Sequence, residues 1–203
     1  MAAIGGAALA ISLTYVDLYH MASSRRQILK LGVVDFGVEH TVLPNGAEVD
    51  LAIIRHPGAS AIVALDNNGD IALLSQYRHA LGGYVWEIPA GVRRAGETPI
   101  QCAQRELAEE AGLSGRRWDH LGVIVTVPSF CDERIELYLA RELDLAVGTQ
   151  DFDEVIRVER RPFAEALRMI RRGEILDAKT IAALYQAREF LEETGGGVGA
   201  AKN

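Results

Sequence analysis

The hydrophobic pattern divides the chain into a strand-like first part and a mixed second part. Between residues 28 and 56 apolar and polar positions alternate with the two-residue period of strands. Val33, Val34, Phe36 and Val38 lead to Leu43, Pro44-Asn45-Gly46 supplies turn chemistry, and Val49, Leu51, Ile53 and Ile54 follow. The pattern predicts a β-hairpin or small antiparallel sheet, broken by Arg55-His56-Pro57-Gly58, with His56 a loop residue rather than a metal ligand. Residues 59–65 form an apolar run of the buried-strand type, 66–70 their turn, and 71–77 the returning strand. Gln76-Tyr77-Arg78-His79 is expected to leave the sheet toward a loop holding Gly82-Gly83, and residues 84–90 run on into Gly91. Further strands are expected over 118–127, 134–141 and 155–159, an amphipathic helix over 162–172, and a last helix opened by Asp177 or Lys179.

One helix in the middle of the chain carries more than packing information. Thr98 is its predicted N-cap, Pro99 its first residue, Gln101 the partner in a capping box, and Gly112 its C-terminal stop. Ile100, Ala103, Leu107 and Ala111 make an apolar stripe. Glu106, Glu109 and Glu110 fall at i, i+3 and i+4, so three carboxylates crowd one side. They repel in an isolated helix, whereas a divalent cation such as Mg²⁺ or Mn²⁺, which takes hard oxygen ligands, turns the crowding into binding. Arg105 lies one turn before Glu109 and can hold it, and Glu97 sits where negative charge favours the helix N-terminus. The alternative is a solvated acidic face.

Composition narrows the class. A chain of 203 residues with 49% hydrophobic and 24% charged residues has enough material for one good core and a small appended module. The net charge of -7, with Lys and Arg never running beyond adjacent pairs, argues against a nucleic-acid partner. Cys102 and Cys131 have no metal-ligand spacing and no disulfide framework, which suits a reducing, cytoplasmic setting. Residues 1–16 are small and apolar but lack a basic leader and are too short and Gly/Ala-rich for a membrane span. They are expected to be a disordered or partner-packed extension, the alternative being a targeting signal, and Met21 reads as an alternative start. The expected organisation is an extension over 1–24, a small β module over 25–57, a main domain over 58–194 and a Gly-rich tail over 195–203.

From Gly91 to Leu113 the chain reads Gly-x5-Glu-x7-Arg-Glu-Leu-x-Glu-Glu-x-Gly-Leu without a gap. Even with the two leucines left out, the seven remaining residues at ordinary frequencies match by chance in a chain of this size below about one time in a million. The segment resembles the Nudix box, so the chain is identified as a member of the Nudix hydrolases. The resemblance implies an α/β/α sandwich with a mixed sheet, preceded here by the small antiparallel β module. It implies hydrolysis of a nucleoside diphosphate linked to another moiety, with Mg²⁺ (or Mn²⁺) held by Glu106, Glu110 and the carbonyl of Ala90, and with Glu109 as a further ligand.

Features outside the box resemble the ADP-ribose pyrophosphatase branch: Gln76-Tyr77-Arg78, Trp86-Glu87-Ile88-Pro89-Ala90-Gly91, Pro128, and the tail from Glu165 to Leu184. Arg78, Trp86, Glu87 and Glu133 are the substrate-contacting candidates, Arg78 for a phosphate and Glu87 or Trp86 for the nucleoside end. Pro128-Ser129-Phe130 departs from the Ser-Pro-Gly common in that branch, which leaves the sugar open. The alternatives are another nucleoside diphosphate sugar such as GDP-mannose, or a silent nucleotide-binding module. Arg105, Glu109 and Glu154 are the catalytic candidates. Glu154 is the expected base, in the acidic loop where the resembling enzymes carry a mobile glutamate, with Asp151 and Asp153 as lesser options and Glu109 as the alternative. The resemblance also implies a homodimer built through the N-terminal module, whose residues help build the partner's site. No membrane partner is expected.

Overall fold

The structure is a computed structural model that describes residues 22–150, 152 and 154–195. The expected extension therefore lies outside the described residues up to Met21, as do Asp151, Asp153 and the tail from residue 196. Two compact units divide the chain, Met1–Ile54 and Arg55–Asn203. No helix among the described residues is long and apolar enough to cross a membrane.

The first unit is a three-stranded sheet of β1 (Ala22–Leu31), β2 (Val34–Val42) and β3 (Glu48–Arg55), with β2 in the middle. The turn between β2 and β3 is the expected one: Gly46 takes φ 84° and the Asn45 side chain accepts from the Ala47 amide at 3.0 Å. Strand β1 was not expected as a strand. Its Ser-Ser-Arg-Arg-Gln start has no apolar alternation, and it is held instead by backbone pairing to β2 and by Arg25, which bonds Asp35 at 2.7 Å and Glu39 at 3.2 Å. Gly32 at φ 55° makes the tight link between them.

The second unit is an α/β/α sandwich with a mixed sheet arrangement. Strands β7 (Ala90–Val92), β4 (Ala59–Ala64), β9 (Arg134–Leu145) and β8 (Leu113–Val125) form one sheet in that order, and β10 (Ile156–Pro162), β5 (Asp70–Arg78) and β6 (Gly83–Glu87) form another. Only β4 and β9 are parallel among the paired strands; the others run antiparallel. Every residue of β4 is buried, which explains its continuous apolar run. Ala59, Ala61 and Val63 face a core shared with α2 (Phe163–Arg171) and α3 (Ala178–Glu193) through Phe163, Met169 and Leu184. Ile62 and Ala64 face the other way, against Ala103 and Leu107 of α1 (Pro99–Ala111). Strand alternation thus sends one set of residues to each helical layer.

Element boundaries differ from the sequence reading at several points, among them Arg78 and the ends of β8 and β9. Arg78 does not leave the sheet: it pairs with Gly83, and a single 3₁₀ turn, His79–Leu81, closes through Gly82 at φ 67°. Strand β8 begins at Leu113 rather than 118, because Gly112 turns the chain directly from α1 into pairing with Leu145 of β9, and the polar Ser114-Gly115-Arg116-Arg117 hides this in the sequence. Strand β9 correspondingly runs on to Leu145 rather than ending at 141.

Candidate active site

Helix α1 starts and stops as its residues dictate. Thr98 Oγ1 accepts from the Gln101 amide, Gln101 Oε1 accepts from the Thr98 amide at 2.9 Å, and Gly112 takes the left-handed conformation at φ 64°. This fixes the rotation of the helix, with Leu107 in the core and Glu106 and Glu110 almost fully buried beside Ala90-Gly91. Glu110 Oε2 accepts from the Ala90 amide at 2.7 Å. Glu106 lies so close to Gly91 that a Cβ there would overlap its carboxylate, so only glycine leaves the space.

Arg105 ties the loop to the helix. Its guanidinium donates to both oxygens of Glu97 at 2.8 and 3.0 Å, to Glu106 at 2.5 Å, to Glu109 at 2.8 Å and to the Val92 carbonyl at 3.0 Å. The bond from Arg105 holds the Glu97 carboxyl down at about 2. Arg94, which sequence reasoning passed over, lies 3.4 Å from Glu109 and donates its amide to Glu97 at 2.9 Å. Glu109 is therefore turned toward two guanidinium groups.

The buried carboxylates behave oppositely. Burial pushes Glu106 up, against the bond from Arg105, with Glu109 and Glu154 adding repulsion. Burial pushes Glu110 up to about 8 against the Ala90 amide, with Glu106 and Glu154 again adding repulsion. Glu154 thus stands within electrostatic reach of both. Its loop is drawn onto α1: the Ala146 amide donates to the Gly112 carbonyl at 2.9 Å, and Gly148 packs so tightly that a Cβ would overlap the Ala108 carbonyl. A glycine within an acidic loop was the available sign of this approach.

Among the described residues no group of three or more His, Cys, Asp and Glu side chains stands close enough to enclose a metal ion. The donor chemistry nonetheless fits one. Two buried carboxylates one helical turn apart, each disfavoured as an anion by burial, form an oxygen-only site whose charge calls for a hard cation.

The substrate candidates separate. Arg78 and Glu87 meet in a two-pronged pair, Nε to Oε1 and Nη2 to Oε2, both at 2.7 Å. Lys179, also missed from sequence, bonds the same Glu87. Burial would raise Glu87, but the bonds from Arg78 and Lys179 outweigh it and hold the carboxyl below its usual range. Arg78 and Lys179 also act electrostatically on Glu110, so this cluster borders the carboxylate site. Trp86, next to Glu87 on β6, points to the opposite face, packing against the core of α2 and α3 with the Arg161 guanidinium 5.8 Å from its ring. Glu133 accepts from Thr126 at 2.7 Å and lies 3.6 Å from His56, tying back the loop that follows β8.

The sandwich presents a loop–helix segment whose buried, guanidinium-braced carboxylates have the donor chemistry expected of a metal-assisted phosphohydrolase. The family model of the NUDIX domain matches residues 54–184, and the chain belongs to that family as a Nudix hydrolase. It is 35% identical over 173 residues to the ADP-ribose pyrophosphatase of Bacillus subtilis (strain 168), covering 83% of this chain and 94% of that protein. It is 41% identical over 145 residues to the ADP-ribose pyrophosphatase of Mycobacterium tuberculosis (strain ATCC 25618 / H37Rv), covering 70% of each. A crystal structure of an ADP compounds hydrolase superposes with a TM-score of 0.74 at 19% identity, covering 86% of this chain and 95% of that one, which establishes the likeness of fold. Hydrolases of this family generally use divalent metal ions.

Proposed function

We propose that the protein hydrolyses the pyrophosphate bond of ADP-ribose to AMP and ribose 5-phosphate in a Mg²⁺-dependent reaction. The observation that carries the reading is the pair Glu106 and Glu110, buried one turn apart within electrostatic reach of Glu154. The similarity to two ADP-ribose pyrophosphatases supports the substrate. Glu106, Glu110 and the Ala90 carbonyl would hold the ion, with Glu109 as a further ligand through Oε1, the oxygen that is not bonded to Arg105. Bound there, Mg²⁺ would screen the diphosphate and lower the pKa of the attacking water.

The remaining work falls to the chain itself. Arg105 fixes Glu97, Glu106 and Glu109 on one guanidinium, so the carboxylates are positioned before substrate arrives. Arg78, at the end of β5, offers a planar fork to a substrate phosphate. Glu154 takes the proton of the water, since its loop position lets it close over bound substrate. Glu109 is the rival base, but its oxygens already accept from Arg105 and lie against Arg94. The N-terminal sheet pairs with its counterpart in a second copy, covering apolar side chains such as Ile28, Leu29, Leu31 and Val33 that it leaves exposed. Two free thiols fit a reducing cytoplasm.

The test is a product assay. With Mg²⁺, ADP-ribose should give equimolar AMP and ribose 5-phosphate at a higher kcat/KM than GDP-mannose. A preference for GDP-mannose would overturn the substrate, and no product from any nucleoside diphosphate sugar would leave a silent binding module.

A further inference from the structure

The two guanidinium groups that face Glu109 are engaged to different degrees. Arg105 is fully engaged: it donates to both oxygens of Glu97, to Glu106, to Glu109 Oε2 and to the Val92 carbonyl. Arg94 is not. Its Nη2 stands 3.4 Å from Glu109 Oε1 and 3.4 Å from Oε2, and its guanidinium makes no other hydrogen bond or ion pair among the described residues. The Arg94 side chain is 56% exposed and that of Glu109 only 18%.

The backbone aims Arg94 at this place. Its amide donates to Glu97 Oε2 at 2.9 Å, and its carbonyl accepts from the Glu97 amide at 3.1 Å. Gly96, at φ 80°, lets the chain turn between them. Arg105 grips Glu97 in turn, so the turn that carries Arg94 is fastened to α1. Glu109 Oε1 is the oxygen that Arg105 leaves unbonded, and Arg94 stands beside it. An exposed ion pair of this length adds little to stability, so its consequence lies in the charge of the site. A divalent ion on Oε1 would meet a positive charge already a few ångströms away. No side chain has to move for that ion to be disfavoured, because the repulsion follows from the distance alone. Glu106 and Glu110 accept from Arg105 and from the Ala90 amide and make no such contact with Arg94.

We propose that Arg94 tunes the metal site through Glu109: its charge beside Oε1 weakens the hold of Glu109 on a divalent ion and leaves that of the buried pair Glu106 and Glu110 nearly unchanged. The position served by Glu109 is then the weaker one, and Arg94 sets how much weaker. The inference rests on the reading of Glu109 as a further ligand.

Mn²⁺ binding to the protein without substrate, followed through the electron paramagnetic resonance of the free ion, tests it. The parent should show a tighter and a weaker class of ion. At low ionic strength Arg94→Ala should tighten the weaker class about threefold to tenfold and leave the tighter class within about twofold. Arg94→Gln, which keeps most of the stem, should do the same, and Arg94→Lys, which keeps the charge, should bind as the parent does. The gain should shrink toward none in about 1 M KCl, where charges are screened over about 3 Å. Glu109→Gln should remove the weaker class, and in that background Arg94→Ala should change nothing. An arginine with a purely structural part gives the opposite sign: its loss loosens the loop, weakens both classes, and is indifferent to salt. Mn²⁺ binding that is unchanged or weakened in both Arg94→Ala and Arg94→Gln overturns the proposal. The two layers separate. If Glu109→Gln leaves Mn²⁺ binding intact, Glu109 is no ligand and the reading falls with the inference. If Glu109→Gln removes the weaker class while the Arg94 variants leave it as it was, only the present inference fails.

Discussion

Single residues in the box do separable jobs. Gly91 leaves the space that Glu106 fills, and a Cβ there would strike the end of a flexible side chain rather than backbone. Gly91→Ala should therefore fold, with stability within about 1 kcal/mol of the parent, but with the Glu106 carboxylate displaced and turnover down at least about tenfold. Thermal melts and kcat at saturating Mg²⁺ check both halves. Glu97 offers a pH test. Its folded carboxyl sits near 2, below the ordinary 4.5, so its pairing with Arg105 adds stability that is complete above that ordinary value and fades as pH falls through the window toward 2. Melting temperatures of the parent and Glu97→Gln should differ most near neutrality and converge as the pH drops below about 4.5. A difference constant down to acid would contradict the assignment.

At the scale of elements, the loop that carries Glu154 is positioned by contact with α1, not by its own charge. Gly148 meets the Ala108 carbonyl and the Glu109 amide, both backbone, so the helix cannot yield to a methyl group. Gly148→Ala should lift the loop and with it Glu154, lowering kcat at least about tenfold while leaving the melting of α1 and its capping box little changed. The box helix was fully legible in the sequence because its signals are local: the cap, the proline, the glycine stop and the apolar stripe all lie within it. Strand β1 was not, because its pairing to β2 is made by backbone groups and its side chains carry no alternation. The Arg78–Glu87–Lys179 cluster was half legible. Arg78 and Glu87 stood out by resemblance, whereas Lys179 is 92 residues from Glu87 in the chain and only the packing of α3 brings it there. Trp86 and Glu87, adjacent in sequence, were read together but point to opposite faces, as strand neighbours must.

At the scale of the whole molecule, the sandwich buries two carboxylates, and the small sheet leaves several apolar side chains, among them Ile28, Leu29, Leu31 and Val33, exposed. The proposed dimer is tested by mass: sedimentation should give twice the 22.1 kDa of one chain, and a single-chain mass with full activity at nanomolar concentration would contradict it. The central claim is the proposal that the buried pair Glu106 and Glu110 holds the divalent ion on which hydrolysis depends. It is tested most directly by titrating Mg²⁺ into the parent and Glu110→Gln while following ADP-ribose cleavage. The parent should show saturable Mg²⁺ dependence that chelation abolishes, and Glu110→Gln should lose at least about a hundredfold in turnover with weakened Mg²⁺ binding, in a protein that still melts cooperatively. Full turnover and unchanged Mg²⁺ affinity in Glu110→Gln would contradict the account.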